Sequence, residues 1–467
     1  MSRILRVLII FLITFFLILP PQIGAAFGEF GIKDEAELGE KFKILMQAQF
    51  PLIKDPYVVD YMQKILNRVT QPIPPQPFPP KINVFLDPSI NAFAAPAGYV
   101  FVNSGLILNM DREDEIAAVI AHELAHVSER HIAQHIEQSQ MISIATLVGV
   151  LAGALLGGAG SALGQAMAVG SMAGGQAASL KFSRDDEREA DRMGLRFLTQ
   201  AGYKPEAMMR TFEHMLKDMR MSGNSAPPAY MLTHPGLNER IGSIQDMVDH
   251  FQPQPPLVEE DSNALARIKM LLQSKYTPSP KQYGPLDVTD QDLDCMQLLG
   301  KGIALSKLNR MGQAEQAFQR ALACEPEHPL WLREAGWFAF RNGDYLRART
   351  LLNKALKTKT NDYLARYYRA RVAAELGDAS RAVQDLKQVL ASVPEESQVH
   401  RTLGRIVGRS GDHFQGYLHL GYAHLYAYRL QEAARFLEKA EELAKNPTQQ
   451  EQVKSLEKAY QKRKEIL

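Results

Sequence analysis

The spacing of apolar and polar positions changes repeatedly along this 467-residue chain, and each change marks a predicted unit of structure. Apolar residues alternate with others over Ile82–Leu86, and Tyr99–Val102 is rich in β-forming residues, so turn residues between them predict a small antiparallel sheet. From Asp111 to about Gln140 the pattern is that of one helix without proline or glycine. The six prolines of Gln71–Pro80 predict an extended connector before the sheet.

The C-terminal part repeats a pattern of small and large residues every 34 positions. The matching sets are Ala314, Phe318, Ala321 and Pro326, then Ala348, Leu352, Ala355 and Thr360, then Ala382, Leu386, Val389 and Pro394. This period is typical of tetratricopeptide helix pairs, in which small residues permit close helix approach. An unrelated helical bundle would not keep the register. A last match, at Gly421 and Ala433, is displaced by half a repeat and predicts an extra helix near His413 to Tyr417.

The N-terminal residues 1–26 have the pattern of a signal peptide. Arg3 and Arg6 precede the apolar run Val7–Leu19, and small residues up to Ala26 come after it. We expect cleavage after Ala26 and an exported, periplasmic protein. The alternative is an uncleaved membrane anchor, but the run is shorter than the roughly 20 residues that span a bilayer.

Residues 138–180 contain no charged side chain and are rich in glycine and alanine. The strongest apolar stretch, Met141–Leu156, is too short to span a membrane, and glycines interrupt the residues after it. Buried or interfacial helices are therefore predicted, and contact with a membrane surface through this segment is the alternative.

The composition excludes only binding that depends on a large overall charge. The chain is 46% hydrophobic and 22% charged, and its formal net charge is +1, so no overall charge attracts nucleic acid. We expect no nucleic-acid partner. The two cysteines, Cys295 and Cys324, lie at the start and the end of one predicted helix pair, where antiparallel packing would bring them together. In an exported protein we expect a disulfide there, and two unlinked thiols are the alternative.

The predicted helix contains His122-Glu123-Leu124-Ala125-His126. Residues four apart on a helix differ by about 40° in azimuth, so both imidazoles can reach one metal ion from the same face. Glu123 is poorly placed as a third ligand, but it can act as a general base on a water molecule beside the metal. His131 and His135 repeat the spacing on the opposite side of that helix, where we expect solvated or packed histidines.

A catalytic zinc site needs a third protein ligand and one open position. On the helix that is predicted to begin near Ser183, Glu187 and Asp191 share a face of small and apolar residues, where unpaired carboxylates are costly. We therefore predict Glu187 as the ligand and Asp191 as a group that orients a ligand histidine. Glu189 points away from Glu187 and is the weaker ligand candidate.

These motifs, with His234-Pro235 and the later Arg240, resemble the gluzincin metallopeptidases, which include the CAAX prenyl proteases and the HtpX heat-shock proteases. Pro96-Ala97-Gly98 replaces the family's usual Pro-Gly-Gly in the strand region. The resemblance implies zinc ligands His122, His126 and Glu187, catalytic Glu123, assisting Asp191, and Arg240 near the substrate. With an export signal and repeats, it also implies work on misfolded or stalled outer-membrane proteins and a repeat groove that binds a protein partner, such as outer-membrane assembly machinery.

The predicted reaction is hydrolysis of internal peptide bonds in unfolded polypeptides. Glu123 would move the proton, His234 or Arg240 would stabilise the oxyanion, and an edge strand near Tyr99–Val102 would hold extended substrate. Alternatively, His234 is a fourth zinc ligand that keeps the site latent, or a surface histidine. The competing hypothesis for the whole chain is a scaffold or chaperone with a structural metal, but such a site needs no base beside its ligands.

The predicted protein is mainly α-helical. An α+β zincin-like metallopeptidase domain with a small sheet is expected at 27–250, a linker at 251–290, and an α-solenoid of tetratricopeptide repeats at 291–467.

Overall fold

A computed structural model describes residues 31–138, 182–221, 230, 234–259 and 261–467. The predicted signal peptide and nearly all of the uncharged segment 138–180 lie outside these residues, so the predictions of export and membrane contact stay predictions. Within the described ranges, no helix combines the length and the apolar character that a membrane crossing requires.

The N-terminal domain is built from helices around one small sheet. Its helices are α1 (Ile32–Gln49), α2 (Pro56–Thr70), α3 (Ser104–Asn109), α4 (Glu113–Ser128), α5 (His131–Gln138), α6 (Arg184–Gln200), α7 (Glu206–Met221) and α8 (Leu237–Val248). Side-chain caps begin two of them: Asp55 accepts a hydrogen bond from Tyr57 N, and Ser183 accepts one from Asp186 N. The negative charges of Asp114 and Glu115 in the first turn of α4 interact favourably with the positive end of the helix dipole.

The sheet contains β1 (Lys81–Phe85), β2 (Ala92–Ala95) and β3 (Tyr99–Asn103), in the order β1-β3-β2. The two strands that were predicted to form an antiparallel sheet, β1 and β3, are parallel, whereas β2 and β3 pair antiparallel, so the sheet is mixed. The short turn at Pro96–Gly98 reverses the chain direction between β2 and β3. In this turn Ala97 adopts the left-handed conformation with φ 63°. Strand β3 is the central strand, with a neighbour on both sides, and it is buried throughout. It is therefore not the edge strand that we predicted for substrate.

The helix predicted for Asp111 to about Gln140 is two helices. Helix α4 ends at Ser128, and Arg130 has a left-handed φ of 56°, so α5 starts in a new direction at His131. The Arg130 guanidinium lies 3.0 Å from the carboxylate of Glu35 on α1, a partner far away in sequence. The prediction of a single helix was wrong, and so was the azimuth that it assigned to His131.

The segment predicted as a linker contains a packed helix, α9 (Ser262–Leu271). Its buried residues Leu265, Ile268 and Leu271 recur with helical spacing and join the main core. Among the described residues before this helix, 251–259 and 261, there is no helix or strand.

The repeat region is an uninterrupted series of helix pairs, as predicted. Its helices are α10 (Cys295–Lys307), α11 (Met311–Cys324), α12 (Pro329–Arg341), α13 (Tyr345–Thr358), α14 (Tyr363–Glu375), α15 (Ala379–Ser392), α16 (Ser397–Arg409), α17 (His413–Leu425), α18 (Leu430–Glu442) and α19 (Pro447–Lys464). A Cβ atom added to Gly302 would lie 3.1 Å from the ring of Phe318, so the predicted small position does permit close approach. Helix α17 covers the region predicted at His413 to Tyr417.

Cys295 and Cys324 form a disulfide, which confirms the predicted pairing. The bond joins the first residue of α10 to the last residue of α11, with a sequence separation of 29. On the chain-entropy account, a loop of this size stabilises the pair by about 3.6 kcal/mol.

A buried cluster of charges joins the repeats to the N-terminal domain. The fully buried Arg333 on α12 makes a two-pronged contact with Asp55, at 2.8 and 3.0 Å, and it also reaches Glu334 at 2.8 Å. Lys275 lies 2.7 Å from Glu334 and 3.2 Å from Asp55. Although burial opposes ionisation, Arg333 and Lys275 hold the pKa of Asp55 well below its usual range. Since Asp55 also caps α2, the cluster ties the repeats to that helix.

We predict that Arg333→Met lowers the free energy of unfolding by about 3–5 kcal/mol, because it leaves carboxylates buried without their main partner. Denaturant unfolding of the full chain measures this change. Lys354→Met is the matched control, since the Lys354–Glu327 ion pair is exposed, and its effect should stay below about 1 kcal/mol. Equal effects of the two substitutions would show that the cluster does not hold the domains together.

Candidate metal centre

Helix α4 presents its two motif histidines to the same point, as predicted. His122 and His126 are each about 1% exposed, and their Nε2 atoms lie 3.1 Å apart. Two imidazole nitrogens approach this closely when a proton or a metal ion lies between them. Their four-residue spacing on a straight helix is sufficient to place both rings on one side.

Helix α6 brings the predicted carboxylates to that point. Glu187 and Asp191 are buried, as the apolar face of the helix required, and Gly194 on the same face lies against His122. A Cβ atom at Gly194 would be 3.1 Å from His122 Cα, so the absence of a side chain lets the two helix backbones meet. As a result Glu187 Oε2 lies 3.4 Å from His122 Nε2, and Oε1 lies 3.6 Å from His126 Nε2.

His234 completes the cluster from the segment before α8. It is fully buried, and its Nδ1 lies 2.9 Å from Glu187 Oε1 and 3.4 Å from His122 Nε2. The ring stacks on Tyr230 with 4.3 Å between centroids, and it also lies near Phe182. The structure therefore places His234 beside the other three candidate ligands and not on the surface.

The donor set fits zinc. One atom from each of His122, His126, Glu187 and His234 lies within 4.8 Å of every other, and the shortest contacts in the set run from 2.9 to 3.6 Å. Zinc bonds of about 2.0–2.1 Å in a tetrahedron place ligand atoms about 3.3 Å apart. Three imidazoles and one carboxylate are also the ligand types that zinc prefers. These residues could hold the ion without rearrangement of the helices.

The candidate ligands have different pKa values and therefore different protonation states before a metal binds. Burial holds the pKa of His126 well below its usual value, so this ring is neutral. Burial also opposes the charged form of His122, but hydrogen bonds to Asp191 and Glu187 raise its pKa to about 9. Since a metal ligand must be deprotonated, binding of zinc would release a proton from His122. Despite burial, His234 and Arg240 keep the pKa of Glu187 well below its usual value.

Glu123 lies next to the cluster without belonging to it. Its Oε2 accepts a hydrogen bond from Ala94 N at 3.0 Å, and its Oε1 lies 3.4 Å from His234 Nε2. Among the described residues, Oε1 has no hydrogen-bond partner. Burial raises the pKa of this carboxyl group, which suits a group that accepts and returns a proton.

Asp191 and Arg240 contact the candidate ligands and hold them in position. Asp191 Oδ1 lies 3.1 Å from His122 Nδ1, the orienting position that we predicted. Arg240 binds both oxygens of Asp191, at 2.6 and 2.7 Å, and its Nη1 lies 2.5 Å from Glu187 Oε2. Its guanidinium also lies over the ring of Phe212. Arg240 was predicted near the substrate, but the structure places it against these two carboxylates.

The sequence pattern missed one neighbour of the metal cluster. His131 is buried, and its Nδ1 lies 2.9 Å from His126 Nδ1, because the break at Arg130 turns α5 back toward α4. The expectation that His131 lies on the opposite side of the helix was wrong. Nothing in the local sequence marks this break. His135 was expected to be solvated or packed, and it lies 2.9 Å from Asp186.

Comparison with known proteins assigns both domains to families. Residues 54–248 match Peptidase family M48, and residues 299–363 and 339–406 match tetratricopeptide repeat families. The chain therefore carries an M48 peptidase domain followed by tetratricopeptide repeats, as the resemblance predicted.

Individual relatives match long stretches of the chain. A Beta-barrel assembly-enhancing protease of Yersinia pestis is 31% identical over 325 residues, which cover 68% of this chain and 64% of the relative. The protein of the same name from Escherichia coli is 26% identical over 319 residues, covering 67% and 64%. Mitochondrial metalloendopeptidase OMA1 of Schizosaccharomyces pombe is 31% identical over 214 residues, covering 46% and 59%. The chain thus matches 64% of the length of the two bacterial relatives.

Proposed function

We propose that this protein is an exported zinc metalloendopeptidase that hydrolyses internal peptide bonds of unfolded or misassembled polypeptides. The observation that carries the proposal is the position of Glu123, a buried carboxylate with a raised pKa beside four converging metal donors, whose Oε1 makes no hydrogen bond among the described residues. A structural zinc site has no use for such a base. The match to Peptidase family M48 supports the same activity.

The ligands in this proposal are His122, His126 and Glu187, with Asp191 and Arg240 holding them in place. Zinc at this point would supply a Lewis acid that lowers the pKa of water and polarises the peptide carbonyl. Glu123 Oε1 would accept a proton from the attacking water and return it to the leaving amine.

The outer edge of β2, which has no strand partner among the described residues, is a better candidate for substrate binding than the central strand β3, although the side chains of β2 are buried. In the antiparallel pair with β3, Asn91 O accepts a hydrogen bond from Asn103 N, and bonded residues alternate with non-bonded ones along the strand. The backbone N–H and C=O groups of Ala92 and Ala94 therefore point away from β3. The Ala94 N–H group indeed points to Glu123. An extended substrate that added to this edge would lie beside the general base and would be recognised mainly through its backbone.

The setting of the reaction is inferred from the relatives. Two of them are named Beta-barrel assembly-enhancing protease, which supports a periplasmic role in quality control of outer-membrane proteins. The repeats would bind a protein partner, such as outer-membrane assembly machinery. The second candidate function is a repeat scaffold or chaperone with a latent metal site, and the position of His234 in the cluster favours latency.

We predict that the purified mature chain cleaves casein, that a chelator stops the cleavage, and that Glu123→Gln retains zinc while its rate falls by a factor of about 10²–10⁴. Replacement of His122, His126 or Glu187 by Ala should remove the zinc as well, which metal analysis measures. At saturating zinc, Glu189→Ala should still hold about one ion per chain, because Glu189 is not a ligand in this proposal. Zinc retained in Glu187→Ala but lost in Glu189→Ala would contradict the choice of ligand.

We also predict that His234→Ala cleaves casein faster than the unsubstituted chain, because on the latency hypothesis His234 would occupy the fourth zinc position that the water needs. Initial rates at equal zinc content measure the effect, and His250→Ala, at an exposed histidine beyond α8, is the control. A loss of about a hundredfold would instead assign His234 to oxyanion stabilisation. An unchanged rate would exclude both roles.

A further inference from the structure

His126 has a second ring nitrogen that faces away from the metal cluster. Its Nε2 points to His122 and Glu187, so Nδ1 is the remaining polar atom, and this atom meets His131 Nδ1 at 2.9 Å. Phe182 covers one face of the His126 ring with 3.7 Å between centroids. His131 is itself 1% exposed, so the contact is shielded from water.

We infer that His131 is a positioning residue for His126, and that Glu189 fixes the tautomer of His131. The inference rests on the proposed zinc site. When Nε2 of His126 binds the metal, its Nδ1 carries a hydrogen and donates to His131 Nδ1. His131 must then carry its own hydrogen on Nε2, which lies 3.4 Å from Glu189 Oε2.

The chain of donors therefore has one direction, from His126 through His131 to Glu189. Ligand histidines generally donate their second N–H to a partner that fixes the ring, and His122 uses Asp191 in this way. The two ligands of the motif thus have different supports. His122 donates to a buried carboxylate, whereas His126 donates to a neutral imidazole that in turn reaches a carboxylate 43% exposed to solvent.

The positive φ of Arg130 is what makes this arrangement possible. A continued helix would carry His131 to the far side of α4, whereas the break begins α5 at His131 and turns its ring toward His126. A residue other than glycine in the left-handed region costs free energy, and here the Arg130–Glu35 contact helps to hold it.

Zinc affinity of the full mature chain, measured by competition with a chelating dye, tests the inference. His131→Phe keeps a ring but cannot accept the hydrogen bond, and we expect affinity to fall about tenfold to a hundredfold. His131→Asn can place an amide oxygen at the position of Nδ1, and it should restore most of the affinity. His135→Phe, one turn further along α5, is the matched control and should bind zinc normally.

A second pair of variants at Glu189 keeps the test independent of packing around His131. Glu189→Gln and Glu189→Met both remove the charge, but only Gln can still accept from His131 Nε2. We expect Glu189→Met to weaken zinc binding severalfold more than Glu189→Gln, and the visible spectrum of the cobalt-substituted protein should shift in Glu189→Met alone. Equal affinities within this pair, or equal losses in His131→Phe and His131→Asn, would overturn the inference. Failure of the unsubstituted chain to bind zinc would instead contradict the proposed function.

Discussion

The close contact between helices α4 and α6 is the constraint on which the metal centre depends. Histidines four residues apart supply only two ligands, and the third comes from a helix far later in the chain. Gly194 allows that helix to lie against the backbone of His122, and this contact sets the position of Glu187. Any side chain at Gly194 would have to displace one of the two helices, and the carboxylate would move with it.

Charge balance is the second condition of this contact. Glu123, Glu187 and Asp191 are all buried, and isolated carboxylates would not stay ionised there. Arg240 neutralises the carboxylates of Glu187 and Asp191, and Glu187 contacts the histidines as well. A similar device joins the domains, where Arg333 and Lys275 compensate Asp55 and Glu334. Because Asp55 caps α2, and α2 shares the core of α4, the repeats are mechanically connected to the helix that carries the motif.

Patterns within one element could be predicted from the sequence, and contacts between distant elements could not. The helical face of Glu187 and Asp191, the repeat register and the Cys295–Cys324 pair are apparent from spacing alone. The break at Arg130 depends on Glu35, and the central place of β3 depends on β1 pairing in parallel, so neither has a local signal. Helix α9 was missed because its short apolar pattern is surrounded by proline, glutamine and tyrosine. His131 was missed only because one continuous helix was predicted where the chain forms two.

X-ray diffraction from crystals of the zinc-loaded mature chain, with data collected on both sides of the zinc absorption edge, tests the central claim most directly. The account predicts one anomalous peak within about 2.0–2.2 Å of Nε2 of His122, Nε2 of His126 and a carboxylate oxygen of Glu187. A peak bound by other residues, such as His131 and Glu189, or no peak in this cluster when metal analysis finds bound zinc, would contradict it.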